Sequence, residues 1–428
     1  MAQPIIFMLN VNNINLLTNL KPMRRWDITA DRGRMKKYSM LTLMILCCLS
    51  MMPQQKTINV NGVYYNLFDD GTAEVTNSLG GKPLANNRYS GNVIILPSVA
   101  DNGNVYRVTK IGANAFGNSA DLRSINIPNR IKVIGQAAFY YCTSLQNVTI
   151  PEGVEVIEES AFFMAENIIT VSLPSTLREI GRMAFGLCHK LDNVTLPEGL
   201  KIINSKAFFD CWELHSINFP ESVDSIQGAV FMATSIEKPI YNSRIFAYLP
   251  ADYSDHYDVP YGIQVIAELA FSMARDLTSV SLPSSLKEIG PGAFGPCTQC
   301  WSNRYSHRDG YMGGCWRLTQ ITIPDGVTKI GSWAFNSCES LETVILPKSL
   351  TQIERGTFAN CKNLTNVLIP SSVTKIGENA FVGCRKLIGM IVPNGVTNIG
   401  SDAFKGVPYI MYSGTASGRP WGAGTVCQ

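Results

Sequence analysis

The residues of this chain with the widest chemical reach are its twelve cysteines and four histidines. One stretch gathers three cysteines and a histidine: Cys297-x-x-Cys300, then His307, then Cys315. Zinc needs four converging nitrogen or sulfur ligands, and a C-x-x-C pair could supply half of them. A wider regularity competes with that reading. Cys142, Cys188, Cys211, Cys338, Cys361 and Cys384 each fall three residues after a phenylalanine, and Cys297 or Cys315 takes the same place in its own unit. Elsewhere that place is held by Ser119, Ala165, Thr234 or Ala274. A position that accepts Cys, Ala, Ser and Thr alike is a small, buried packing site, so free buried thiols are the leading reading. A few disulfides along the column, or a local one at Cys300, stay open as alternatives in an exported chain. Asp252, Asp255 and Asp258 lack the alternate-position spacing and the glycine of a calcium loop and read as a solvated loop. His189 and His215 sit beside repeating positions and read as surface residues. The chain contains no G-x-S-x-G, no phosphate-binding glycine loop and no H-E-x-x-H. No enzyme activity and no cofactor are therefore expected.

The regularity that explains the cysteines runs through most of the chain. Phe116, Phe139, Phe162, Phe185, Phe208 and Phe231 are spaced 23 residues apart, as are Phe271 and Phe294, and again Phe335, Phe358, Phe381 and Phe404. The two irregular gaps are 40 and 41 residues, one period plus 17 and one period plus 18. A proline stands eleven residues before nearly every anchor, from Pro128 to Pro393. The shared unit is L-x-x-V-x-I-P-x-x-V-x-x-I-G-x-x-A-F-x-x-C. Its first part alternates apolar and polar residues, as a strand with one buried face does. Proline cannot donate to a ladder and ends that strand. The later V-x-x-I pair faces inward on the return side, and Gly135 and its equivalents fit a tight corner that tolerates positive φ. One unit is too small to bury its own core, so neighbouring units must stack.

This pattern resembles the BspA-like class of leucine-rich-repeat proteins, over roughly residues 57–410. The opening Val63–Val75, with its Asp70-Gly71 turn, also resembles the hairpin that begins many members. The resemblance implies a bacterial surface protein that adheres to host matrix proteins or to other bacteria. The expected fold is β-rich, within the α/β leucine-rich-repeat class: a right-handed solenoid of about twelve repeats with an N-terminal β-hairpin cap. Residues 57–108 would form that cap, with a second hairpin of Val93–Leu96 and Val105–Val108. The solenoid would span residues 109–410, with insertions at 234–259 and 296–314; the first part of the former, Ile240–Leu249, reads as an extra hairpin strand pair that continues the sheet. A tail follows at 411–428.

Residues 1–55 hold seven Lys/Arg against two Asp/Glu, which leaves the rest of a +3 chain at −2. The body therefore has no basic bias, and no nucleic-acid partner is expected. The surplus belongs to a leader. Met35-Lys36-Lys37, followed by the apolar run Ser39–Met52, reads as a secretory signal over residues 35–56 and is too short to span a bilayer. Residues 1–34 would be a non-structural extension, and no transmembrane span is expected in the mature chain. Lipidation at Cys47 or Cys48 is a further option, although the Ile45-Leu46 that precedes them is bulky for it.

A partner would meet the outward residues of the first strand, on the face such solenoids make concave. Most are Ser, Thr and Asn, such as Asn147/Thr149 and Asn193/Thr195. The last three turns differ, because Ile345, Leu368 and Ile391 replace the polar residues beside Thr343, Asn366 and Gly389. Such a stripe reads either as a protein-binding hot spot or as the seat of a tail, Tyr409–Trp421, folded over it. The second insertion adds Trp301, Arg304, Tyr305 and Tyr311, of types enriched in hot spots. The candidate partner is a host extracellular or bacterial surface protein. A glycan recognised by the Ser/Thr/Asn ladder is the alternative, and a structural spacer without a partner is the third reading.

Overall fold

The computed structural model describes residues 56–82, 89–297, 314–418 and 420–427. Residues 1–34, the signal segment through Gln55 with Cys47 and Cys48, and Cys300, Trp301, Arg304, Tyr305, His307 and Tyr311 lie outside the described residues.

The chain winds into a solenoid of about 12 turns. Each turn contributes to three hydrogen-bonded sides. On the front side, the L-x-x-V-x-I segments pair in parallel and in register, as when Thr170, Val171 and Ser172 meet Asn147, Val148 and Thr149. On the back side, the V-x-x-I segments form two-residue strands such as Val156–Ile157, which pairs with Val133–Ile134 and Glu179–Ile180. The third side is a ladder of turns. Asn114, Phe116 and Asn118 donate their N–H groups to Gln136, Ala138 and Tyr140 of the next turn, while Ala115 and Gly117 close i→i−3 bonds to Gly112 and Asn114.

That third side explains why no helix forms among the described residues, although this class commonly carries one there. The second residue after the corner and the second after the anchor Phe take left-handed φ, as at Ala137 (+53°) and Tyr141 (+56°), or Met183 (+53°) and Leu187 (+57°). A residue held in that region interrupts any right-handed helix. Each non-glycine side chain there carries local strain, which the inter-turn hydrogen bonds hold in place.

The corner glycines serve a different need from the one their sequence suggests. Gly135, Gly181, Gly290, Gly331, Gly377 and Gly400 are not among the positive-φ residues. Their hydrogen faces the previous turn's backbone instead. A Cβ at Gly135 would lie 2.6 Å from the carbonyl oxygen of Ile111, and one at Gly181 would lie 2.5 Å from the carbonyl carbon of Glu158. In these six turns the backbones approach too closely for a side chain to enter without a shift, whereas other turns carry Glu158, Asn204, Gln227, Ala267 or Glu354 at the same corner. Gly181→Ala should therefore lower the melting temperature by several degrees, on the order of 2 kcal/mol of overpacking. An unchanged melting curve for this variant would refute the close-contact account.

The anchor phenylalanines are fully buried and stack through the core. Phe116 and Phe139 have centroids 5.1 Å apart with planes 6° off parallel, and Phe162–Phe185 are at 5.2 Å and 2°. That spacing follows the separation of neighbouring strands, about 4.8 Å, because each ring rides on its own turn. The stack breaks once. Between Phe231 and Phe271 the 17 extra residues form a shortened turn rather than a loop. Ile240–Tyr241 pairs antiparallel with Ile245–Tyr248, which joins the back side against Val265–Ile266, and Asp255–Asp258 joins the front side against Leu277–Ser281. Leu249 donates its N–H to Ala270, as an anchor Phe does in ordinary turns. Phe246 stacks on Phe271 at 5.0 Å, and Tyr248 meets Phe231 edge-on. The buried apolar residues accordingly fall into two clusters that meet here.

At the N-terminal end, Lys56–Val60, Val63–Leu67 and Thr72–Thr76 form an antiparallel meander that joins the back side through Asn104–Ile111. The second hairpin differs from the sequence expectation. Its first arm is Ser98–Asp101, not Val93–Leu96. Asn102 (φ +47°) and Gly103 (φ +82°) make a two-residue turn, which pairs the residues directly flanking it, Asp101 with Asn104. Val93 instead belongs to Gly91–Ile94, which opens the front side by pairing in parallel with Leu122–Asn126.

Candidate functional site

Every front strand buries its central residue and turns its two neighbours outward, so the front side carries two outward rows. At several turns the side chains of these rows bond one another or the backbone. Ser124 donates to Asn92 at 2.8 Å, Thr170 donates to Asn147 at 2.6 Å, and Asn218 exchanges two hydrogen bonds with the backbone of Leu196. In the shortened turn, His256 bridges Ser279 (2.7 Å) and Asp258 (2.9 Å), and these contacts with Ser281 hold the Asp258 carboxyl below its usual range. Polar groups already paired gain little from a new hydrogen-bonding partner.

The C-terminal turns present a different surface. Ile345 is 56% exposed, Leu368 78% and Ile391 60%, at the same repeat position on three successive turns. Thr343 and Asn366 are exposed in the adjacent row and pair across the ladder. The tail decides whether this stripe is covered, and it does not fold over it. Tyr409–Met411 and Thr425–Cys427 extend the front side as two further parallel strands. Trp421 enters the core, meets Tyr412 edge-on at 5.5 Å, and its carbonyl accepts the N–H of Phe404. The tail therefore closes the end of the core and lengthens the stripe. Met411 pairs with Ile391 and continues the row, with Tyr409 and Ile388 exposed beside it. Met411 does not stand out in the sequence, because its turn departs from the 23-residue spacing that would align it with Ile391; Ile388 keeps the spacing, in the place of Thr365 and Glu342.

The cysteines separate into two kinds. Each buried thiol donates to the carbonyl of the anchor Phe one turn back, as Cys188 does to Phe162 (3.3 Å) and Cys211 to Phe185 (3.1 Å). Between the two cysteines that could fill the column after Phe294, the structure selects Cys315, whose thiol donates to Phe271 at 3.3 Å. Cys297 is disulfide-bonded, which corrects its reading as a free buried thiol. The chain leaves the repeat at Cys297 and regains it at Cys315, so only Cys315 reaches the Phe carbonyl. Neither is then a thiolate for zinc. The remaining candidates of that insertion, Trp301, Arg304, Tyr305 and Tyr311, lie outside the described residues.

The profile of the BspA type leucine rich repeat region matches in six copies, over residues 109–237, 246–309 and 305–412. The chain belongs to this family. Among solved structures, this BspA-type chain is similar to a leucine rich cell surface protein of Faecalibacterium prausnitzii, at 25% identity and TM-score 0.50, covering 86% of this chain and 96% of that one. A leucine-rich repeat protein of Bacteroides ovatus is similar at 24% identity and TM-score 0.49, covering 83% and 94%. The pneumococcal vaccine antigen PcpA shares the fold at 19% identity and TM-score 0.50, covering 85% and 89%. A comparison with curated proteins returns no match. BspA-type members are bacterial surface proteins, and their solenoids generally serve as non-enzymatic scaffolds for binding proteins. No helix among the described residues is long and apolar enough to cross a membrane.

Proposed function

We propose that this BspA-type chain is exported, stands at the cell surface or is secreted, and adheres to a host extracellular or bacterial surface protein through its C-terminal front side. Ile345, Leu368 and Ile391, extended by Met411, would form the apolar centre of the contact, with Thr343 and Asn366 beside it. One observation carries the reading. The tail, which could have covered the stripe, instead lengthens it. Exposed apolar residues at strand spacing make a contiguous patch, and such patches on soluble proteins mark interaction sites.

The glycan alternative rests on the polar rows of the front side, where several hydroxyls and amides bond one another. That pairing weakens it there. The protein reading is tested by immobilising matrix proteins and bacterial surface proteins and measuring saturable binding of the purified chain. The variant Ile345→Asp/Leu368→Asp/Ile391→Asp should bind at least about 30-fold more weakly, as loss of a hot spot implies. Its melting temperature should stay near that of the parent, because all three side chains are already in water. Full-strength binding by this folded variant would move the contact elsewhere.

A further inference from the structure

Where the phenylalanine stack is interrupted, the side built of turns opens into a cleft of about 440 Å³. Small residues make room for it. Gly228-Ala229 and Pro291-Gly292 occupy the two positions ahead of the anchor pair that other turns fill with Arg182-Met183 or Ser332-Trp333. Glu268 lies across Gly228, where a Cβ would fall 2.5 Å from the carboxyl carbon, and it accepts the Gly228 N–H at 3.2 Å. Among the described residues no cation lies within ion-pair distance of this carboxylate, although Lys206 and Arg355 line the same cleft. Burial pushes its pKa above the usual carboxylate range, and the Gly228 N–H offsets only part of that. Trp333 walls one end of the cleft. Its ring rests on Gly356, where a Cβ would lie 2.1 Å from a ring carbon, and the Arg355 guanidinium sits 5.7 Å from a ring centroid. Lys206 and Asn336 also line the cleft.

We propose that this cleft is a second binding site, separate from the Ile345–Met411 row, which takes one pyranose ring of a glycan. A pyranose presents hydroxyl groups that both donate and accept around its rim, and an apolar C–H face. The cleft offers the counterpart of each. Glu268 accepts, while Lys206, Arg355 and Asn336 donate. Trp333, Leu269 and Pro291 supply apolar surface. The volume lies within the range of small-ligand sites, which combine apolar walls with a few converging polar groups. An amine is a poorer match, since Lys206 and Arg355 (the latter paired with Glu378 at 3.4 Å) line the cleft beside the single carboxylate and would oppose it.

The test uses the full chain with methyl β-D-galactopyranoside, methyl α-D-mannopyranoside and methyl β-D-glucuronide as probes. Saturation-transfer NMR and tryptophan fluorescence are the readouts. At least one glycoside should bind saturably with a millimolar Kd. Glu268→Gln keeps the size of the side chain and an acceptor for Gly228, and should weaken binding about tenfold, as loss of a charged hydrogen bond does. Ser332→Trp, which fills the mouth while leaving Glu268 in place, should abolish binding. Both variants should retain full protein adhesion through the C-terminal row, so the two sites fail independently. Absence of binding by all three glycosides, equal binding by both variants, or preference for butylamine would each overturn the proposal.

Discussion

Thermal stability should collapse between pH 8.5 and pH 10.5, well before an ordinary protein of this composition would fail. Among the described residues seven thiols are buried and free: Cys142, Cys188, Cys211, Cys315, Cys338, Cys361 and Cys384. Burial pushes all seven pKa values up, those of Cys142 and Cys384 to about 12. An unfolded thiol ionises near 8.5. The folded pKa is the raised one, so the contribution to stability is complete below about 8.5 and is lost as pH climbs toward the folded value. Each thiol then removes up to roughly 1.4 kcal/mol of stability per pH unit from the part of the solenoid that buries it, three thiols in the N-terminal cluster and four in the C-terminal one. Geometry adds to the effect, because each thiol donates to a Phe carbonyl and a thiolate would confront that oxygen without a proton between them. Melting curves by circular dichroism at pH 7.5, 9 and 10 should shift by tens of degrees. Cys188→Ala/Cys211→Ala/Cys338→Ala should flatten the dependence. Alanine fits the column, as Ala165 and Ala274 already show by occupying it. Stability level to pH 10, or an undiminished slope in the triple variant, would refute the argument.

The second large effect is local loss of the phenylalanine stack. Phe162 is fully buried between Phe139 at 4.9 Å and Phe185 at 5.2 Å, and Phe358 lies between Phe335 and Phe381, both at 5.5 Å. Truncating either to alanine removes a large buried ring and two aromatic contacts, about 3–5 kcal/mol. In a solenoid each turn touches only its neighbours, so stability is a sum of local terms rather than one global quantity. The core also divides at the shortened turn. Calorimetry should therefore resolve two transitions. Phe162→Ala should lower the one belonging to the N-terminal cluster, and Phe358→Ala the other. A single transition shifted alike by both would mean that the shortened turn couples the halves as strongly as an ordinary turn. Phe404→Ala should cost less than either, since Phe404 stacks on Phe381 alone, at 5.8 Å.

Much of this architecture was legible from one period. A solenoid turn makes the same contacts to the turn before and the turn after, so each position of the unit must satisfy the same environment in every copy. The anchor Phe, the strand-ending Pro, the small column after the Phe and the alternating strand are local demands, and a linear pattern displays them. The outward stripe at Ile345, Leu368 and Ile391 could be read for the same reason, as a departure from that pattern at one fixed position.

What the tertiary structure alone decided lies wherever contacts cross turns out of step with the period. The corner glycines could be found by spacing, but their cause could not: a Cβ at Gly135 would fall 2.6 Å from the previous turn's Ile111 carbonyl oxygen, while positive φ falls on residues as varied as Ala137, Met183 and Trp333. The choice of Cys315 over Cys297 depended on where the chain rejoins the repeat. The strand pair near Phe246 could be read from the sequence, but Asp255–Asp258, read there as a solvated loop, becomes a front strand, and only packing shows that the 17 extra residues compress a whole turn. The cleft at Glu268 exists because small residues on separate turns meet across this irregular stretch. The tail closes the core because Trp421 finds Tyr412 through space. Periodicity records what each turn repeats, and the sites of this protein lie where two neighbouring turns differ.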